Sequence, residues 1–163
     1  MNVKQAVALI RKHGPSTPEE FTEIGVPLEK RKIGSGIFRE VIKVKGLPLV
    51  VKFPIAESKN GRVSYRAGKM HSTVEVKKIA RLRKFRKLRG HLPTVYYHDR
   101  KSGVLVMQYY PAFVNDADTL RALGKMVTKA ISHGTGIEVS DIHEENVRMG
   151  KTSKHAVLID LGY

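Results

Sequence analysis

The stretch Val41-Ile42-Lys43-Val44-Lys45-Gly46-Leu47-Pro48-Leu49-Val50-Val51-Lys52-Phe53 decides the fold of this chain. It contains two runs rich in β-branched and apolar residues, 41–44 and 49–53, separated by Gly46-Leu47-Pro48. Runs of this length and composition, bounded by glycine and proline, are typical of β-strands. Strands are therefore predicted at the centre of the chain, and the other elements are predicted outward from them.

Helices are predicted before and after these strands. Apolar residues at i, i+3, i+4 and i+7 predict a short helix over residues 2–13, and Thr17-Pro18-Glu19-Glu20 has the form of a capping box that starts a second helix. Residues 69–89 and 117–132 also have helical spacing, whereas residues 55–66 are polar and are predicted to form a loop.

Two hairpins complete the pattern. Residues 94–97 and 104–107 flank a turn, and residues 147–149 and 156–159 flank another. The predicted class is α+β, with a five-stranded antiparallel sheet, one helix packed on it and a smaller helical part after it. The predicted domains are a helical extension (1–28), a sheet domain (29–110) and a C-terminal part (111–163).

Composition limits the class of protein. The 163 residues suit one domain, or one small domain with an appendage. They include no cysteine, which excludes a disulfide framework, a thiol nucleophile and a cysteine-based zinc site. No apolar run reaches the length of a membrane span, and the N-terminus lacks the apolar core of a signal peptide. We expect a cytoplasmic protein; delivery into a host cell as an effector stays open.

Five groups of residues follow one another in an informative order. They are Gly34-Ser35-Gly36, Lys52, Glu75, the pair Asp141 and Asn146, and Asp160-Leu161-Gly162. In this order they resemble the ATP-handling parts of the protein-kinase-like fold. The chain ends at Tyr163, directly after the last group, so the resemblance implies a kinase-like fold with a minimal, truncated C-terminal lobe.

The resemblance implies an ATP site in the sheet domain. Its glycine-rich loop would be Gly34, Ser35 and Gly36 followed by Val41, because glycine lets backbone N–H groups approach phosphates. Arg39 stands where the family has a third glycine. An ordinary hairpin turn is the alternative interpretation.

The same resemblance gives Lys52 the role of the lysine that binds the α- and β-phosphates. Glu75 is the candidate carboxylate that would hold Lys52 in place, with Glu57 as an alternative. Residues 106–111 would form the hinge against which adenine lies, with Met107, Gln108 and Tyr109 in contact with it.

Catalytic and metal-binding roles fall near the C-terminus. The resemblance implies that Asp141 orients or deprotonates the attacking hydroxyl and that Asn146 and Asp160 hold Mg²⁺. His143 stands where protein kinases have a lysine, and phosphotransferases of this fold that act on small molecules often have histidine there. Val139-Ser140 replaces the family's His-Arg.

We therefore expect an ATP- and Mg²⁺-dependent phosphotransferase, most simply a minimal Ser/Thr protein kinase without an activation segment. One alternative is an inert pseudokinase that regulates a partner through its basic surface, and another is a small-molecule kinase. The N-terminal helices, a second copy or a partner protein is expected to cover the truncated lobe.

Strong positive charge shapes the choice of partner. Thirty lysines and arginines against fifteen acidic residues give a formal net charge of +15, which attracts polyanions. Eight of these cations lie within residues 77–89, which we interpret as a solvated helix face, with a docking patch for nucleic acid or an acidic protein as the alternative. An acidic protein substrate or partner is favoured over nucleic acid, because no series of aromatic residues for base stacking accompanies the basic residues.

Overall fold

The computed structural model describes residues 1–59, 61–114, 116–132, 146–150 and 156–161. Its class is α+β, and it contains a five-stranded sheet in which all neighbouring strands are antiparallel. The predicted class and the predicted sheet are thus confirmed. The chain divides into two compact units, one of residues 1–73 and 94–109 and the other of residues 74–93 and 110–163.

The first unit contains two helices, the large sheet and a small hairpin. In chain order its elements are α1 (Val3–His13), α2 (Pro18–Glu23), β1 (Leu28–Ser35), β2 (Arg39–Val44), β3 (Leu49–Pro54), β4 (Glu57–Lys59), β5 (Arg62–Ser64), the start of α3 (Arg66–Leu82), β6 (Val95–His98) and β7 (Leu105–Gln108). The strand order of the sheet is β1-β2-β3-β7-β6, so β3 is the central strand.

The two N-terminal helices pack on one face of the sheet. Ile10 of α1 and Phe21 of α2 are fully buried in the same apolar core as Val51 and Phe53 of β3. The rings of Phe21 and Phe53 meet edge to face, with centroids 5.6 Å apart. The sequence predicted one helix packed on the sheet, and the structure shows that α1 and α2 supply apolar side chains to its core.

Side-chain caps fix where these two helices begin. The Asn2 side chain accepts a hydrogen bond from the Gln5 amide, and the Gln5 side chain accepts one from the Asn2 amide, which forms a capping box. Thr17 caps α2 as predicted, by accepting from the Glu20 amide. The Glu20 carboxylate accepts from Ser16 instead of completing a capping box with Thr17.

Two predicted boundaries were wrong. Part of the predicted loop at residues 55–66 pairs as the hairpin of β4 and β5, and its last residue is the first of α3. The predicted helix over residues 69–89 ends at Leu82 and is followed by a separate 3₁₀ helix, Arg86–His91. The apolar residues there recur every three positions, a spacing that fits one face of a 3₁₀ helix as well as an α-helix.

The second unit contains the end of α3, the 3₁₀ helix, α4 (Ala117–Ser132), β8 (Val147–Met149) and β9 (Ala156–Leu158). The bounds of α4 agree with the prediction, and Leu123 and Val127 form its buried stripe. The His91 ring is 2.7 Å (Nδ1 to carbonyl oxygen) from Ala156, which joins the 3₁₀ helix to β9. In the part of the chain that the structure describes, no helix has the length and apolar character to cross a membrane.

Candidate functional site

The Gly34-Ser35-Gly36 segment ends β1 and leads into the turn before β2. The Gly36 amide donates to the Arg39 carbonyl oxygen at 2.9 Å, which closes the hairpin. Neither glycine has a positive φ, and a Cβ on either would meet its neighbours only at ordinary van der Waals distance. The backbone here does not itself require glycine, so any need for glycine would come from a bound ligand.

The residues that follow the turn pack against other elements of the first unit. The Phe38 ring stacks on the His71 ring of α3, with centroids 4.4 Å apart and planes at 34°. The Phe38 carbonyl accepts from the Ile55 amide at 2.8 Å. Arg39, which stands at the family's third glycine, is buried. The turn is thereby fixed to the start of α3, a contact that sequence reasoning missed.

Val41, Lys52 and Met107 lie on one face of the sheet. Val41 on β2 is the register partner of Lys52 on β3, and Lys52 is the partner of Leu105 on β7. Since side chains alternate along strands, Lys52 lies on the face opposite Val51 and Phe53, which pack against α1 and α2. Three residues predicted to bind ATP therefore share a surface.

Lys52 is buried on that face, with only 5% of its surface exposed. A lysine is seldom buried without a partner, because removing an ammonium group from water is costly. Lys52 does interact with a partner in this structure. Val50 and Leu105, its apolar neighbours on the same face, are also buried. Because side chains alternate between the two faces of a strand, Leu105, two residues before Met107, could have been predicted to lie on the same face.

The two candidate carboxylates differ in burial. Glu75 lies on α3 in the second unit, is fully buried and is not without a partner. Glu57 lies on β4, pairs with Ser64 and is half-buried. A buried carboxylate needs compensation by a cation or by hydrogen bonds, and of the two candidates only Glu75 is fully buried.

A second cation, Lys43, lies on the same face of the sheet as Val41. Its ammonium group donates to the Glu29 carboxylate at 2.8 Å and lies 5.5 Å from the centre of the Tyr109 ring. The hydrogen bond to Glu29 raises the pKa of Lys43 above its usual value, so Lys43 stays protonated. Lys43 lies two residues after Val41 in the same strand, so strand alternation could have placed it on this face from the sequence.

The predicted hinge residues lie at the end of β7 and directly after it, and the amides of Gln108 and Tyr109 are occupied. The Gln108 amide donates to the Thr94 carbonyl and the Tyr109 amide to the Pro48 carbonyl, each at 2.9 Å. The Gln108 side chain is buried and accepts a hydrogen bond from the Tyr96 hydroxyl at 2.9 Å. These two amides are therefore not available to a ligand, and the Tyr109 carbonyl already accepts from the Gln108 side chain at 3.3 Å.

Asn146 and Asp160 lie at one end of the β8–β9 hairpin. Val147, directly after Asn146, pairs with Leu158, and the Ile159 amide donates to the Asn146 carbonyl at 2.9 Å. Asp160 follows Ile159 and is half-buried, as is Asn146. The structure thus brings these two predicted metal ligands to the same end of one element.

These two residues fit the chemistry of a hard cation. Carboxylate and amide oxygens suit Mg²⁺, which usually keeps several waters and needs only one or two protein ligands. Among the described residues there is no group of three or more His, Cys, Asp or Glu that could form a full protein cage. The predicted catalytic residues Asp141 and His143 lie outside the described residues.

No protein-family model matches the chain, and a search of curated proteins gives no match.

Proposed function

We propose that this protein is an ATP- and Mg²⁺-dependent phosphotransferase with a kinase-like fold that acts on a protein hydroxyl group. The observation that carries the proposal is Lys52, a lysine buried in the central strand on the same sheet face as Val41 and Met107. A phosphotransferase needs such a cation, held rigidly on a strand, to bind the phosphates of ATP.

The apolar neighbours of Lys52 suit the rest of the nucleotide. Val41, Val50, Leu105 and Met107 present apolar side chains on the same face, and a nucleotide base needs a mostly apolar surface. The role of the turn from Gly34 to Gly36 in binding phosphate rests on the sequence resemblance, and the space around both glycines is compatible with it. The role of Glu75 as the carboxylate that orients the lysine rests on the sequence resemblance alone.

Asn146 and Asp160 would hold Mg²⁺, which neutralises charge on the phosphates. The support is their position at one end of the β8–β9 hairpin, where the Ile159 amide donates to the Asn146 carbonyl. Asp141 would orient the attacking hydroxyl and accept its proton, and His143 would donate a hydrogen bond to the transferred phosphoryl group. These last two roles rest on the sequence resemblance.

Thermal unfolding with ATP, with and without Mg²⁺, tests the nucleotide site. A ligand at about 100 times its dissociation constant stabilises the fold by about 2.7 kcal/mol. Asp160→Asn should abolish the Mg²⁺-dependent part of this gain. The matched control is Asp118→Asn, because the Asp118 carboxylate is highly exposed on α4 and, among the described residues, pairs with Arg121 alone. Equal loss in both variants would contradict the metal-binding role of Asp160.

Transfer of phosphate tests the reaction itself. Wild-type protein and Asp141→Ala are incubated with ATP labelled on the γ-phosphate and with an acidic protein such as casein. We expect label on protein with wild type and none with Asp141→Ala. Nucleotide binding without transfer would favour a second function, a regulatory module without catalysis. The burial of Arg39 and the occupied amides of Gln108 and Tyr109 are the observations in favour of that second function.

A further inference from the structure

A basic segment, residues 77–89, forms a charged surface that the phosphotransferase proposal does not use. It runs from the last two turns of α3 into the 3₁₀ helix, within the second unit. Its eight cations are Lys77, Lys78, Arg81, Arg83, Lys84, Arg86, Lys87 and Arg89. No acidic residue occurs between Glu75 and Asp99, so the sequence on either side does not neutralise them.

The cations of the basic segment face solvent. Seven of the eight residues are exposed and Lys78 is half-buried, whereas Ile79, Leu82 and Leu88 are buried. Within the part of the chain that the structure describes, none of the eight forms an ion pair. Cations at the C-terminal end of a helix are favourable, but the helix dipole amounts to only about half a charge there. Helix stability therefore does not account for eight of them.

The backbone of the basic segment is ordered by hydrogen bonds across the end of α3. The Arg89 guanidinium donates to the Arg83 carbonyl at 2.9 Å, and the Arg83 guanidinium donates to the Pro93 carbonyl at 2.7 Å. The Phe85 amide donates to the Leu82 carbonyl at 3.0 Å. These bonds connect the end of α3 and Arg83, which follows it, with Arg89 of the 3₁₀ helix.

The side chains of the basic segment suit a phosphate backbone better than a protein surface. The cores of protein interfaces are depleted of charge and are anchored by aromatic and apolar residues. The basic segment has no exposed aromatic or large apolar side chain, since Phe85 is half-buried. Binding to nucleic acid without regard to sequence requires only cations at phosphates. Single strands are usually held by aromatic stacking, which is missing among these residues, so a duplex is the better fit.

We propose that residues 77–89 bind the phosphate backbone of duplex nucleic acid, independently of base sequence. The sequence alone disfavoured nucleic acid because no aromatic residues for base stacking are present. Contact with phosphates needs no aromatic residues. It needs exposed cations, and the basic segment has them. This inference does not depend on the proposed phosphotransferase activity.

Fluorescence anisotropy of a labelled DNA duplex of mixed sequence, with the full chain, tests the proposal. The slope of log affinity against log salt should be about −0.9 for each phosphate neutralised. Lys77→Gln, Arg81→Gln, Arg86→Gln and Lys87→Gln are combined in one variant. These four residues are exposed and, unlike Arg83 and Arg89, hold no backbone carbonyl. The variant should flatten the slope by about 3 to 4 and weaken binding by about tenfold or more.

A second variant with the same change in net charge separates the basic segment from the overall charge. It combines Lys12→Gln, Arg31→Gln, Lys45→Gln and Arg100→Gln, which are all exposed and lie in the first unit. This control should bind the duplex with nearly the wild-type slope. Equal weakening by the two variants would overturn the proposal, because binding would then follow net charge alone.

Two further probes distinguish the kind of polyanion. Polyglutamate should bind more weakly than the duplex and should discriminate little between the two variants. If polyglutamate binds more tightly than the duplex through residues 77–89, the surface is a site for acidic proteins and the proposal is wrong. Tighter binding of a single-stranded oligonucleotide than of the duplex would also overturn it.

Discussion

Val41 and Lys52 are register partners on neighbouring antiparallel strands, and Lys52 is buried beside this valine. The pairing puts an apolar β-branched side chain next to an ammonium group on the same face of the central sheet. This is the arrangement that a nucleotide needs, with apolar surface for its base and sugar and a fixed cation for its phosphates.

The first prediction concerns Lys52. Lys52→Met keeps an unbranched side chain only one atom shorter and removes its charge, so the stabilisation of about 2.7 kcal/mol at 100-fold excess of ATP over its dissociation constant should disappear. The measurement is the shift in unfolding temperature on adding ATP and Mg²⁺ to each protein. Each protein is compared with itself, with and without ATP, so a change in the stability of the ligand-free protein does not affect the result.

Lys45→Met is the matched control for Lys52→Met. Lys45 lies one residue after β2 and is exposed, and its amide, not its side chain, is bonded to Pro27. This variant should keep the full ATP-dependent shift. If both lysine variants keep the shift, Lys52 does not bind the phosphates of ATP.

The second prediction concerns two helical glycines. A Cβ at Gly68 of α3 would lie 2.5 Å from the Phe38 carbonyl oxygen and 2.7 Å from Pro54 Cβ. Gly68→Ala should therefore destabilise the protein by about 1–3 kcal/mol, as overpacked substitutions do. The clash is with the backbone at Phe38, so the glycine turn should also shift. Urea denaturation monitored by circular dichroism measures the loss.

Gly124→Ala is expected to change the stability in the opposite direction. Gly124 lies inside α4, and nothing lies within 4 Å of a Cβ added there. Alanine at this position should stabilise the protein by about 0.5–1 kcal/mol, because alanine favours the helix. A stabilising effect of Gly68→Ala of similar size would show that the close approach of α3 to Phe38 does not constrain the fold.

The third prediction concerns the Tyr96–Gln108 hydrogen bond. Tyr96→Phe removes the hydroxyl that donates to the Gln108 side chain at 2.9 Å and leaves that buried oxygen without this donor. The expected cost is about 1 kcal/mol of unfolding free energy. Urea denaturation measures the cost. The ATP-dependent shift should be unchanged, because the bond supports the strand and not the ligand.

Tyr97→Phe is the control on the adjacent residue. The Tyr97 hydroxyl has no hydrogen-bond partner among the residues that the structure describes. Partial burial raises the pKa of Tyr97, so its phenol stays neutral at ordinary pH. Its removal should change stability by less than about 0.5 kcal/mol. A cost equal to that of Tyr96→Phe would contradict the assigned role of the Tyr96 hydroxyl.

The fourth prediction concerns pH and Asp116, which directly precedes α4. Its carboxylate accepts hydrogen bonds from the Thr119 hydroxyl, from the Thr119 amide at 2.9 Å and from the Asp118 amide at 3.3 Å. These bonds, the one from the Thr119 hydroxyl above all, lower the pKa of Asp116 in the folded protein. The stabilisation is therefore complete above the ordinary aspartate pKa and is lost as the pH falls through the lowered value.

Asp116→Asn tests the predicted direction of the change in stability with pH. Asparagine caps helices about as well as aspartate and does not titrate. At about pH 7 the two proteins should unfold at similar temperatures, and below about pH 3 wild type should lose more stability than the variant. Differential scanning calorimetry at the two pH values measures the difference. An identical loss in both proteins would mean that the Asp116 carboxylate does not contribute to the acid sensitivity.

The sequence by itself determined the elements whose signals are local. Two β-rich runs around Gly46-Leu47-Pro48 predicted β2 and β3, and the apolar stripe of residues 117–132 predicted α4 with its observed bounds. Such patterns repeat with the period of the element, so they can be read without knowing what the element packs against. The end of α3 at Leu82 could not be read this way, since a spacing of three also fits a 3₁₀ helix.

Only the tertiary structure decided what depends on distant contacts. The pairing of Val41 with Lys52, the burial of Lys52 and the packing of α1 and α2 on the sheet all join residues far apart in the chain. A lysine that follows three apolar residues has the same sequence whether it faces water or the interior. Strand register and the cover on each sheet face settle which of these occurs, and neither is a local property of the chain.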